Sequence, residues 1–214
     1  MAGARVLFLG MTGRFSRPPL ERLGRRAVAV WVPRDELRAL TPPPSKGLPV
    51  LTPYAERSIV HLAWELGIPL YEVGDLKASQ TLALAAELQP DVLAVACWPR
   101  LIPRELRSLV GLAVNVHPSL LPEGRGPAPV FWTLRLGQRR TGVTIHVLED
   151  QADAGPILAQ LEVSVPPGAG EAELEQQLAE LGGDLLVQVL EQFERGALHP
   201  VPQDESRATY HPRY

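Results

Sequence analysis

Short runs that are apolar at nearly every position, separated by stretches of helical spacing, constrain this chain more than any other feature. Residues 5–9 (RVLFL), 27–32 (AVAVWV), 91–97 (DVLAVAC) and 112–116 (LAVNV) are such runs. Successive side chains of a strand point to opposite faces, so a strand without a polar face must be covered on both sides. Helices packed on both faces of a mostly parallel sheet meet that demand, and strand–helix alternation supplies the crossovers. The fold class expected is therefore α/β, a mostly parallel twisted sheet with helices on both faces.

The same reading places further strands at 69–73, 142–148 and 157–165, and helices at 18–23, 58–66, 79–88 and 130–136. The last long helix is expected over 171–195. Leu174, Leu178, Leu181, Leu185, Val189 and Phe193 recur there every three or four residues, and Gly196 is placed to cap it. Residues 34–56 are polar and proline-rich and read as a long surface excursion, the kind of loop that is usually functional. No repeat or linker interrupts the chain, so residues 1–214 are expected to form one domain, with about 197–214 an extended tail.

Composition removes several classes. With 45% hydrophobic and 21% charged residues, the chain is neither disordered nor fibrous. Its single cysteine, Cys97, excludes an intramolecular disulfide or a cysteine-based zinc site and reads as a core residue. No run of ~18 apolar residues is present, and the opening is too short for a signal peptide, so no membrane association and a cytoplasmic setting are expected. A net charge of −3 gives no general attraction for nucleic acid, and DNA binding is not expected.

Ligands in open α/β sheets sit at the carboxyl ends of the strands. Gly10, Met11, Thr12 and Gly13 follow a strand and precede a helix, which suits a tight turn or a phosphate-cradling one. The third glycine of a dinucleotide fingerprint is missing, so a nicotinamide-dependent oxidoreductase is disfavoured. Asn115, the only asparagine in the chain, and His117 lie two apart and project from one face of a strand end. They are either a functional pair or a pair that holds the following loop. That loop, 119–129, is rich in glycine and proline and fixed in shape. Asp153, in a Gln-Ala-Asp-Ala-Gly stretch, is either a turn residue or a carboxylate that returns to His117 and orients it. The arginines at 14, 17, 22, 25 and 26 and at 135, 139 and 140 are solvated faces or phosphate contacts. No metal site is expected from the remaining histidines, and Ser119 lacks the glycines of a nucleophile elbow.

Three blocks occur in a family-specific order: 115–129 (NVHPSLLPEGRGPAP), 141–146 (TGVTIH) and 152–155 (ADAG). Together they resemble the 10-formyltetrahydrofolate-dependent formyltransferases. Residues 8–10, 15–16, 91–103, 202–206 and 208–210 extend the likeness over most of the chain, towards the branch that acts on methionyl-tRNA. The resemblance implies a Rossmann-like formyltransferase fold with no C-terminal β-barrel within residues 1–214. It implies Asn115, His117 and Asp153 as the catalytic set, with Asn115 and His117 as N–H donors to the oxyanion and Asp153 orienting His117. It implies 10-formyltetrahydrofolate as formyl donor, held by Trp98, Arg100, Leu101, Ile102, Ser119, Leu120, Leu121, Pro122, Glu149 and Asp150. The acceptor would lie near Gly10, Met11, Thr12, Gly126 and Pro127, and would be an aminoacyl-tRNA or a small phosphorylated amine such as an amino-sugar nucleotide or glycinamide ribonucleotide. His146 matches the glycinamide ribonucleotide branch. Hydrolysis of the formyl-folate, or a non-catalytic binding domain on the same fold, are the rival readings.

Overall fold

A computed structural model describes residues 3–42 and 58–213. The strands are β1 Val6–Gly10, β2 Ala27–Pro33, β3 Arg38–Ala39, β4 Leu70–Val73, β5 Val92–Ala96, β6 Leu112–His117, β7 Arg140–Val147 and β8 Ile157–Ser164. The helices are α1 Arg17–Leu23, α2 Ile59–Leu66, α3 Ser79–Leu88, α4 Arg104–Arg107, α5 Pro129–Arg135 and α6 Glu171–Glu194. They build one sheet in the order β3-β4-β2-β1-β5-β6-β7-β8. Strands β4, β2, β1, β5 and β6 run parallel; β3 pairs antiparallel with β4, β7 with β6, and β8 with β7, which returns β8 to the common direction.

The all-apolar runs are explained by two cores. Val6 and Phe8 of β1 pack into one core with Leu20 of α1, Ile59 of α2 and Leu178 of α6. Leu7 and Leu9 point the other way, into a second core with Ala85 of α3 and Leu106 of α4. Helix α6 buries Leu174, Leu178, Leu185 and Val189, as its spacing predicts, and also Leu186 and Leu190. Gly196 beyond it has φ +64 and its N–H donates to the Phe193 carbonyl. Among the described residues no helix is long and apolar enough to cross a membrane.

Two elements depart from the sequence expectation. The described part of the 34–56 excursion contains strand β3, held to β4 because the buried Glu72 carboxylate takes Arg34 at 3.2 Å and Arg38 at 2.6 Å. Residues 43–56 of that stretch lie outside the described residues. Helix α4 is a single turn started by Pro103, too short to show a period. Its Arg107 fastens two loops, donating to the carbonyls of Ile102 and Leu148 at 3.1 and 3.0 Å and pairing with Asp150.

Three of the arginines singled out in the N-terminal third pair with protein carboxylates: Arg17 with Glu21, Arg22 with Asp184 and Arg26 with Glu194. Arg140 pairs with Glu162 in the same way.

Candidate active site

The strand order turns back between β1 and β5, and the carboxyl ends of β5 and β6 open beside that point into a cleft of about 820 Å³. Asn115, His117, His146 and Asp153 share its wall. The first two come from one face of β6, as a period of two requires. His146 enters because β7 runs antiparallel to β6 with Asn115 opposite His146 in register. Asp153 comes from the loop joining β7 to β8, at φ +55, a left-handed conformation that Asp tolerates better than most residues.

Each of these groups has a defined partner. The His117 Nε2 lies 3.0 Å from the Gly124 carbonyl, and a carbonyl only accepts, so Nε2 carries the proton. The other nitrogen, Nδ1, faces Asp153 Oδ1 at 3.6 Å. His146 Nδ1 donates to the Val147 carbonyl at 2.9 Å, which leaves Nε2 to accept from the Asn115 amide at 3.2 Å. One Asn115 N–H is thereby used and the second remains for the cleft. Asp153 Oδ2 accepts the Gly126 N–H at 2.9 Å, and Oδ1 also lies 3.7 Å from His146 Nε2.

Protonation follows from these contacts. Burial of His117 outweighs the attraction of Asp153 and the Gly124 hydrogen bond, so its pKa is lowered below the 6.5 ordinary for histidine. Burial opposes the Asp153 charge, but the neighbouring His117 ring and the hydrogen bond from the Gly126 N–H hold it well below the usual carboxylate range. At neutral pH the pair is a neutral imidazole beside a carboxylate. Burial pushes the Cys97 thiol up to about 12, so it is no thiolate there; it is half-buried, packed against the first core and facing the cleft.

Two glycines are fixed by this geometry. Gly126 has φ +116, and a Cβ would run into the His211 carbonyl. At Gly155 a Cβ would meet the Val147 carbonyl. Gly155→Ala must therefore push the 153–155 segment off β7; a loss of ~1–3 kcal/mol by urea denaturation is expected, with a fall in activity as Asp153 moves.

Other residues singled out in the sequence divide between wall and support. Trp98, Arg100, Leu101, Ile102, Glu149, Gly126 and Pro127 line the cleft. Ser119, Leu120, Leu121 and Pro122 do not, because hydrogen bonds turn that segment onto β7 and β8. Thr144 donates to the Ser119 carbonyl at 2.7 Å and Gln160 to the Leu121 carbonyl at 2.8 Å, while Ser119 Oγ is spent on the Glu123 carbonyl. Asp150 is off the wall on the surface, with Arg107. Gly10, Met11 and Thr12 are off it too. The Met11 N–H is taken by Ser16 Oγ at 3.0 Å, and Gly10 packs where a Cβ would touch Phe8, Ile59 and Ser16. Among the described residues no group of three or more His, Cys, Asp or Glu is arranged to hold a metal.

Sequence reasoning did not make His146 a member of the catalytic set. Its signal was its place near the end of the strand paired with β6. It also missed Arg125, which is 4% exposed, and Gln203, whose contacts arise only when the tail folds back.

The family model described as "Formyl transferase" matches residues 28–190. Among curated proteins the chain is similar to a methionyl-tRNA formyltransferase from Roseiflexus castenholzii, 39% identical over 210 residues. That match covers 96% of this chain and 64% of the relative, so the chain spans less than two thirds of the relative's length. Two solved structures share the fold. Glycinamide ribonucleotide transformylase 1 from Symbiobacterium toebii has TM-score 0.69 and 21% identity, over 94% of this chain and 95% of that one. HypX from Aquifex aeolicus in complex with tetrahydrofolic acid has TM-score 0.69 and 22% identity, over 100% of this chain and 30% of that one.

Proposed function

The chain belongs to the formyl transferase family, and we propose that it moves the formyl group of 10-formyltetrahydrofolate to the amine of methionyl-tRNA. The observation that carries this reading is the convergence of Asn115, His117 and Asp153 on one cleft wall. The relative from Roseiflexus castenholzii supports the choice of acceptor. The folate is placed against Trp98, Arg100, Leu101, Ile102 and Glu149, and the acceptor amine beside Gly126 and Pro127. A cytoplasmic setting goes with this reading.

In the proposed reaction the acceptor nitrogen attacks the formyl carbon and the C=O electron pair moves to oxygen. The free N–H of Asn115 donates to that oxyanion; a donor so placed is worth about 3 kcal/mol in a transition state. His117 begins neutral, with Nδ1 open, and takes the proton released by the attacking amine. Asp153 at 3.6 Å stabilises the imidazolium so formed. Only this charged form offers Nδ1–H as a second donor, since the Nε2 proton is held by Gly124. The proton then passes to N10 of the folate as the C–N10 bond breaks. The products are the N-formyl acceptor and tetrahydrofolate.

Release of tetrahydrofolate is the test, with methionyl-tRNA, glycinamide ribonucleotide, an amino-sugar nucleotide or water alone in parallel wells. Release that requires methionyl-tRNA is the expected result. Release in all wells alike means a hydrolase, release with another amine means another acceptor, and none at all overturns the reading.

The rate should fall on the acid side with a midpoint below 6.5, because protonating His117 removes the base and its pKa is lowered. Stability should fall in the same direction. Both folded pKa values lie below the unfolded ones, so the unfolded chain binds more protons as pH drops through that window. A pH–rate profile and acid melts check both.

A further inference from the structure

We infer that Gln203, in the tail after α6, is a positioning residue for Asp153, an inference that rests on the formyl-transfer reading for its effect on turnover. The tail returns across the cleft and is pinned at two points. Val201 pairs with Ile157 through two hydrogen bonds of 2.8 Å, and Arg125 pairs with the tail through Thr209 and His211 at 2.9 Å each. Between these points the Gln203 amide uses every polar atom it has. Its Nε2 donates to the carbonyls of Asp153 at 2.8 Å and Gly155 at 2.7 Å. Its Oε1 accepts from Arg125 Nη2 at 2.8 Å and Nε at 3.2 Å. A flipped amide would set its oxygen against two carbonyls, so the orientation is fixed. The buried Arg125 is clamped from its other side by Glu205, at 2.6 and 3.0 Å.

The consequence lies in what this amide joins. Asp153 sits in the left-handed region, which few non-glycine residues adopt without restraint. Its carboxylate is aimed by the N–H of Gly126, the residue after Arg125. Gln203 therefore holds both ends of the Gly126–Asp153 hydrogen bond: the backbone of Asp153 on one side and the neighbour of Gly126 on the other. A tail staple that only adds stability has no reason to saturate the backbone of the loop that carries this carboxylate. Arg207, paired with Glu123 at 2.8 Å, is a tail staple of that plainer kind.

The test compares the unmodified chain with Gln203→Leu, Gln203→Glu and Arg207→Ala. Gln203→Leu removes all four bonds. Gln203→Glu keeps the acceptor for Arg125 and loses both donors to the 153–155 loop, so it separates positioning from folding if the Leu variant does not fold. Both Gln203 variants should lower kcat ~10- to 100-fold, the cost of a misplaced catalytic group, with the KM for the formyl donor within about threefold. The second readout needs no turnover: the titration of the His117 ring followed by NMR. The titratable groups that face this ring are Asp153 and His146. Moving the Asp153 carboxylate away should shift the His117 midpoint to lower pH in both Gln203 variants and leave it in place in Arg207→Ala. A folded Gln203 variant with unchanged kcat and an unchanged His117 midpoint overturns the inference. If the unmodified chain transfers no formyl group, the functional reading fails, while the His117 titration still decides whether Gln203 positions Asp153.

Discussion

Asn115→Ala is expected to lower kcat by ~10²- to 10³-fold, the usual cost of removing one oxyanion donor. The side chain is half-buried at the end of β6, with one amide hydrogen given to His146 and the other left for the cleft. Its free N–H gains most when the carbonyl oxygen becomes an oxyanion, so the loss should appear in kcat more than in KM. The structural cost is small by comparison. His146 Nε2 loses a hydrogen bond of the kind worth ~1 kcal/mol, and the β6–β7 ladder is untouched. Steady-state kinetics together with a thermal melt separate the two effects.

Asp153→Asn is expected to cost ~10²- to 10⁴-fold in kcat, the range for losing acid–base assistance. The variant keeps the shape, and its amide oxygen can still accept the Gly126 N–H. Its amide nitrogen then faces His117 Nδ1, where it donates to the neutral ring and occupies the lone pair that must take the proton. The imidazolium also loses the carboxylate 3.6 Å away. That carboxylate raises the His117 pKa against burial, so its removal lowers the pKa further. Whatever activity remains should show an acid limb shifted to lower pH. A variant with normal kcat and an unshifted limb would remove Asp153 from the proton path.

The sequence made some of this site legible because the relevant rule was local. A period of two puts Asn115 and His117 on one face, and a proline after them ends the strand. The continuous apolar runs announced a sheet covered on both sides, and the two cores are what covers them. Asp153 was visible only as a candidate, because its approach to His117 depends on how the β7–β8 connection folds back. His146 needed the register of an antiparallel pair, which no local pattern fixes. Gln203 and Arg125 are 78 residues apart in sequence and meet through the path of the tail. Strand β3, two residues long, has too few positions for a period and is held by Glu72 instead. The segment 119–122 contains the residues of a family motif, yet its hydrogen bonds direct it behind the wall.

The most direct measurement follows the transferred atom. The chain would be given 10-formyltetrahydrofolate carrying a ¹³C formyl group and methionyl-tRNA with a ¹⁵N-labelled α-amine, and the products read by NMR. The expected result is a one-bond ¹³C–¹⁵N coupling that grows with time in the unmodified chain and is nearly lost in Asn115→Ala. A ¹³C signal that ends in free formate, or a coupling that grows equally fast without Asn115, would contradict formyl transfer at this site.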